Sequence, residues 1–340
     1  RNLIKKQSME DRKKDHIELA FSSRTEPASI DARFYYEPLL AAHPSGGLKP
    51  FEFLGRNLRV PIWVSSMTGG TQLARGINTN LARVCREFGM GMGLGSCRII
   101  LKDDRYFDDF NMRPVIGPDL PLWANLGIAQ VEQLIADQQV SLITELVKRL
   151  QADGIIVHVN PMQEWLQPEG DRLTVPPVET IKRLIDKTNL PIIVKEVGQG
   201  MGPESLRELL CLPLAGIEFA AFGGTNFASL ELQRAAESER DLFAPLAFVG
   251  HTAEEMLSWI NQEAESGSGI QVKNIIISGG IRNFLDGYYF LKKSRLPAVY
   301  GQASALLKYA RGNYDDLQKF VEGQVKGLAL AYAYLRIRTR

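Results

Sequence analysis

The sequence predicts an α/β fold: a (β/α)8 TIM barrel with an N-terminal extension and a C-terminal helix. Three observations carry this. From Pro61 onward short apolar runs recur, most of their starts roughly 25–37 residues apart, the repeat of a βα unit. The runs are almost continuously apolar rather than alternating, as parallel strands covered on both faces require. There are eight of them, each ending in small, glycine-rich or polar residues, where a barrel of this class carries its chemistry.

Taken in order, residues 1–60 form an extension expected to contribute to the active site. Ser8-Met9-Glu10-Asp11 has the S-x-x-D form of a helix start. In that helix Arg12 and His16 share a face at i, i+4, with Lys13 beside them. Residues 22–60 show scattered Pro and Gly without periodicity. Residues 61–340 form the barrel, one domain with the extension. Its runs are Pro61-Ile62-Trp63-Val64, Gly91 to Leu94, Leu122 to Asn125, Gly154 to Val159, Pro191 to Val194, Gly216 to Phe219, Asn274 to Ile277 and Ala298 to Tyr300. Helical patterns separate them, such as Thr180 to Lys187 with Ile181, Leu184 and Ile185 on one face. A ninth apolar run, Leu246 to Val249, is assigned to an extended sixth unit, because Thr252-Ala253-Glu254-Glu255 directly opens a helix with a capping box. Tyr314 to Leu335 reads as one long terminal helix.

Composition narrows the function classes. A formal net charge of +1 gives no bulk electrostatic case for nucleic acid or an anionic membrane. Cys85, Cys97 and Cys211 lie far apart with no metal-ligand spacing, a sparse set suited to a reducing cytoplasm. No apolar run approaches the roughly 18 residues a membrane span needs, and the charged N-terminus lacks a signal peptide's apolar core. The sequence begins with Arg, so residues are expected to precede it.

The most polar strand end is HVNPMQE, His158 to Glu164, directly after Gly154-Ile155-Ile156-Val157. Such groups at the end of a buried strand are costly unless they meet each other, a metal or a ligand. Gly279 and Gly280 after the seventh run, with Gln302-Ala303-Ser304 after the eighth, occupy the usual barrel phosphate site. Lys195 at the end of the fifth run would lie buried beside that ligand and needs an anionic partner. The N1–C2=O edge of a flavin is one.

Several ordered motifs, RKKDH (12–16), SSMTGG (65–70), GMGLGSCR (91–98), ANLG (124–127), HVNPMQE, KEVG (195–198), GGTNFASLE (223–231) and SGGIR (278–282), make the chain resemble type 2 isopentenyl diphosphate isomerase. The resemblance spans roughly residues 8–307, and HVNPMQE followed by VKEVG is its most specific part. It implies a 1,3-allylic isomerisation between isopentenyl and dimethylallyl diphosphate. It also implies reduced FMN, Mg²⁺ and NAD(P)H (NADPH as reductant only), and a cytoplasmic homo-oligomer, tetramer or octamer. By the same resemblance Met67, Thr68 and Gly69 line the isoalloxazine, Ser96 and Asn125 hydrogen-bond it, and Lys195 faces its N1 side. Thr225, Gly279, Gly280, Arg282, Ala303 and Ser304 hold its phosphate. Arg12, Lys13, His16, Arg98, His158 and Asn160 bind the substrate diphosphate, with Ser96 nearby. Glu164 ligates Mg²⁺, and Gln163 lies at the isoprenoid carbons as the catalytic side chain.

The chain departs from the family pattern in four places: EFAAFGGT with Glu218 where Asp is usual, VGHT (249–252), Ser294-Arg295-Leu296-Pro297, and Cys97 in SCR. Two other readings compete. An FMN-dependent 2-hydroxy-acid oxidase or dehydrogenase would share the barrel and phosphate site, but needs a catalytic His that SGGIRNF does not supply. A non-catalytic flavin- or diphosphate-binding barrel would account for the altered segments.

Overall fold

In the computed structural model, which describes residues 9–66, 72–267 and 269–338, eight parallel strands close into a barrel. They are β1 (Ile62–Val64), β2 (Gly91–Gly93), β3 (Leu122–Gly127), β4 (Gly154–His158), β5 (Ile192–Lys195), β6 (Gly216–Glu218), β7 (Ile275–Ser278) and β8 (Ala298–Gln302). Each neighbours the next, and β8 closes on β1 with Tyr300 opposite Ile62 and Gln302 opposite Val64. All eight apolar runs become barrel strands. The ninth does not: Ala244–Phe248 is a 3₁₀ helix, with Phe248 and Val249 largely exposed. Thr252 then caps the helix Ala253–Ser266 through the expected capping box.

Large rings fill the barrel floor, and glycines make room for them. Trp63 on β1 lies where a side chain on Gly91 would stand, and Trp123 on β3 does the same over Gly154. Both indoles are buried. A β-branched residue at either glycine would overlap the neighbouring ring, so these strands begin with Gly for packing reasons.

Below this floor the structure adds elements that residues 22–60 did not signal. Phe51–Phe53 and Arg56–Leu58 pair as a hairpin. Its turn residues Leu54 and Gly55 both have positive φ, 51° and 73°, the sense that matches strand twist. Strands of three residues are too short to show alternation, and Leu-Gly is not a usual turn pair. Phe53 of the hairpin meets Trp63 edge-on at 6.3 Å between centroids. Arg56 bonds Asp153, whose other oxygen takes Arg113 Nη2 at 3.0 Å and the Leu122 N–H at 2.9 Å. Arg113 is itself buried and donates to the carbonyls of Gly117, Leu120 and Gln151.

The helix Met9–Leu19 starts the described extension, and Ser8 of the proposed cap lies outside the described residues. The long helix Tyr314–Tyr334 crosses the outside of the barrel. It is followed by Leu335–Ile337, which pairs antiparallel with Phe34–Tyr36. Arg33 adds an ion pair of 2.8 Å to buried Asp286, in the helix Phe284–Lys293 that follows β7. Extension and terminus are therefore clasped to each other and to the barrel wall.

Candidate active site

The C-terminal strand ends collect the polar side chains of the interior. Asn125 on β3 is buried between two partners: its Nδ2 donates to Ser66 Oγ at 3.1 Å, and its Oδ1 accepts from His158 Nδ1 at 2.7 Å. With its proton on Nδ1, His158 presents Nε2 as a lone pair. Burial and then the Lys195 charge push the imidazole down to about 3, so it is neutral at physiological pH.

Residues 161–166 form a short helix begun by Pro161, a favoured first-turn residue. Its first turn brings the polar run together. Asn160 Nδ2 donates to Gln163 Oε1 and Glu164 Oε1, both at 3.1 Å. Gln163 Nε2 in turn donates to Glu231 Oε1 at 3.2 Å, and Arg234 holds the other oxygen of Glu231 at 2.6 Å. Glu164 Oε2 accepts from the Asp171 N–H at 2.8 Å, and Asp171 Oδ2 pairs with Arg98 Nη1 at 3.0 Å. A continuous polar chain thus runs from the Arg98–Asp171 ion pair through hydrogen bonds at Glu164, Asn160 and Gln163 to Glu231. Glu164 and Glu231 are both buried, and each has both oxygens hydrogen-bonded.

Beside it opens a cavity of about 410 Å³, lined by the ends of β1 and β5 to β8. That size lies in the usual range for a small-molecule site. Its far wall is main chain. Gly279 and Gly280 have φ of +89° and +74°, and a side-chain carbon on Gly279 would stand 2.1 Å from Ala221 O. Only glycine allows this approach. Among the described residues the N–H groups of Gly224, Gly279 and Gly280 meet no protein acceptor. The altered VGHT segment closes this wall by backbone bonds: His251 N to Gln199 O at 2.7 Å and Phe222 N to His251 O at 2.9 Å.

The cavity floor carries charge. Lys195 is buried and donates to Glu196 O at 2.9 Å, while the Glu196 carboxylate gathers the N–H groups of Gly198, Gln199 and Gly200. Burial pushes Glu196 up, and those backbone donors oppose it. Glu218 stands beside Lys195 in register and is fully buried. Its Oε1 accepts from Ser278 Oγ at 3.2 Å, while Oε2 and the nearby Ser65 Oγ have no partner. Burial raises the Glu218 carboxyl, and the Lys195 charge pulls it back.

Most sequence-derived site residues therefore converge. Asn125, His158, Asn160, Gln163 and Glu164 join one network, and Lys195, Thr225, Gly279, Gly280, Arg282, Ala303 and Ser304 line the cavity. Arg98 reaches the network through Asp171, and Ser96 lies exposed beside it. Met67, Thr68 and Gly69 lie outside the described residues. Arg12, Lys13 and His16 are exposed on the helix Met9–Leu19 and make no bond to the barrel among the described residues, so this arrangement does not bring them to the site. Cys97 is buried with its thiol on Gly95 O, pushed up to about 12 by burial, which makes it a packing residue. Ser294 to Pro297 lies at the opposite end, where the Pro297 carbonyl receives the first residue of β7. Glu231 and Asp171 were not singled out in the sequence. Their only advance signal was a carboxylate inside the GGTNFASLE and QPEGD segments.

No protein-family model matches the chain. It is 31% identical over 332 residues to an isopentenyl-diphosphate delta-isomerase of Rickettsia rickettsii (strain Sheila Smith), covering 94% of this chain and 93% of that one. The corresponding protein of Rickettsia felis is 33% identical over 334 residues, covering 97% and 93%. Among solved structures, a flavocytochrome b2 variant with pyruvate bound superposes with a TM-score of 0.61 at 14% identity, over 88% of this chain and 71% of that one. A mandelate oxidase variant with a monooxide FMN adduct gives 0.55 at 15%, over 91% and 89%. At these identities the structural likeness speaks to the barrel alone.

Proposed function

The chain belongs to the isopentenyl-diphosphate delta-isomerase family, and from that premise we propose that it interconverts isopentenyl and dimethylallyl diphosphate with reduced FMN and Mg²⁺. The observation that carries this is the continuous chain from Arg98 to Glu231 standing against a glycine-walled cavity.

The residues present fit both groups. Free N–H groups at Gly224, Gly279 and Gly280, with Thr225, Arg282, Ala303 and Ser304 around them, would hold the FMN phosphate. Lys195 would face the N1 side, with Ser96, Asn125 and residues 67–69 about the ring. Bound and reduced by NADPH, the flavin supplies the proton donor and acceptor that an unactivated alkene otherwise lacks. Glu164 is a single carboxylate, and no cluster of three metal-ligating side chains occurs among the described residues. Mg²⁺ is content with one carboxylate when phosphate oxygens and water complete its shell.

The chain's own side chains then have distinct tasks. Arg98 matches diphosphate oxygens with a planar fork. His158 can donate from Nε2 once the bound anion has protonated it, and Asn160, whose Nδ2 serves Gln163 and Glu164, holds those two side chains in place. Arg12, Lys13 and His16 of the extension join them when substrate is bound. Since the reacting part of the substrate is hydrocarbon, diphosphate binding must position it. Gln163, held at its oxygen by Asn160 and at its nitrogen by Glu231, keeps one orientation toward the carbon skeleton. Glu231 thus fixes the amide.

The purified protein should be yellow and bleach with NADPH. It should then exchange deuterium from D₂O into isopentenyl diphosphate only with Mg²⁺ present. Isomerisation that persists after flavin removal, or steady consumption of a 2-hydroxy acid instead, would overturn the reading.

A further inference from the structure

Asp171 lies on the loop after the helix Pro161–Leu166, and three independent contacts tie it to both halves of the site. Its Oδ2 forms an ion pair with Arg98 Nη1 at 3.0 Å and accepts from Gln130 Nε2 at 3.1 Å, while its backbone N–H donates to Glu164 Oε2 at 2.8 Å. The loop cannot drift from these positions. Gly170 sits so close to the helix that a side-chain carbon would stand 1.9 Å from Glu164 O. Arg172 donates to that same carbonyl at 2.6 Å and lays its guanidinium 4.7 Å from the centre of the Trp165 ring.

We propose that Asp171 is a positioning residue that couples diphosphate capture at Arg98 to metal binding at Glu164. This rests on the functional reading above and extends it to a residue without a direct ligand contact. Half the surface of the Arg98 side chain faces solvent, and among the described residues no other ion pair holds it. A free arginine so exposed samples many rotamers and loses that freedom when it binds an anion. Asp171 pairs with one terminal nitrogen and no other partner among the described residues takes the rest of the guanidinium, so the side chain is held in place with donors to spare. Gln130 shares the carboxylate, which limits the direction from which Arg98 can be held. Through the Asp171 main chain, the same loop fixes the Glu164 oxygen that would face a metal. A diphosphate bridging Arg98 and Mg²⁺ therefore meets two groups whose separation one residue sets.

The probe is inorganic diphosphate, titrated into the full-length flavin-loaded protein with and without Mg²⁺ by calorimetry. Asp171→Ala should weaken binding about tenfold, the usual scale for a partner that orients a ligand-binding group. Asp171→Glu, which keeps the carboxylate charge beside Arg98, should recover part of that loss, whereas the uncharged Asp171→Asn should not. In an Arg98→Ala background, Asp171→Ala should weaken Mg²⁺-free binding no further. For isopentenyl diphosphate, Asp171→Ala should raise KM about tenfold with kcat within about twofold. Unchanged affinity in Asp171→Ala would overturn the proposal. So would an equal further loss in the Arg98→Ala background, or a fall in kcat with KM unmoved. A wild-type protein that isomerises but shows additive Arg98 and Asp171 effects would sink the coupling alone. A wild-type protein that binds no diphosphate would take the functional reading with it.

Discussion

At the scale of single residues, two buried titratable groups make opposite demands. His158 is held neutral, with its Nε2 lone pair exposed to whatever enters the site. A bound diphosphate reverses the local field and favours the imidazolium, so binding should take up a proton near pH 7. Calorimetric titration of inorganic diphosphate in buffers of different ionisation enthalpy reads this directly; a heat independent of buffer would refute it. In the free protein the histidine binds its proton only near pH 3, against 6.5 when unfolded. The unfolded state therefore binds more protons across that window, and stability from this group is lost as pH falls through it. Glu218 has the opposite sign. Its carboxyl is raised by burial, so its contribution is complete below the ordinary carboxylate range and is lost as pH rises. Glu218→Gln should raise the melting temperature by about 2–4 °C at pH 8 and change it little at pH 4. The polar run 158–164 announced itself in the sequence because four hydrogen-bonding residues follow a buried strand. Asp171 and Glu231 did not, since what defines them is a partner 73 residues away in one case and 68 in the other, Arg98 and Gln163.

At the scale of elements, the barrel has a working end and a supporting end that respond differently to substitution. Gly279→Ala forces a side chain against Ala221 O in a backbone region that costs about 1–3 kcal/mol for other residues. The variant should still fold yet purify with little flavin, measured by its visible absorbance; full flavin content would contradict the cradle. Arg113→Ala acts at the opposite end, where it strips a buried cation from Asp153 and from three carbonyls. It should cost about 3–5 kcal/mol in urea unfolding with flavin content unchanged. The eight strands were legible because each is a continuous apolar run, a signal that survives without neighbours. The hairpin at 51–58 was not, because its strands are three residues long and its turn places Leu54 at positive φ. Propensity argues against that choice, and contact with the barrel floor overrides it.

At the scale of the whole molecule, barrel closure is set by strand pairing, whereas the extension is set by the far end of the chain. Removing residues from Leu335 onward should leave the barrel intact. It should also expose the segment around Arg24 and Arg33 to trypsin, followed by the rate of limited cleavage; an unchanged rate would show that Arg33 and Asp286 suffice to hold it. The sequence indicated a separate extension and a terminal helix, but not that they join. Pairing between Phe34–Tyr36 and Leu335–Ile337 leaves no local pattern, because each strand is finished only by the other. Arg338 Nε reaches Phe34 O across 304 residues of sequence. On a ribosome adding about 5–20 residues per second, the extension waits roughly 15–60 s for its mate. The barrel can close during that wait and Arg33 can reach Asp286, but the Phe34–Tyr36 strand cannot be paired until synthesis has passed residue 337. Pairing of the extension therefore trails closure of the barrel, and a chain that stopped before Leu335 would carry a closed barrel whose Phe34–Tyr36 strand lacks its partner.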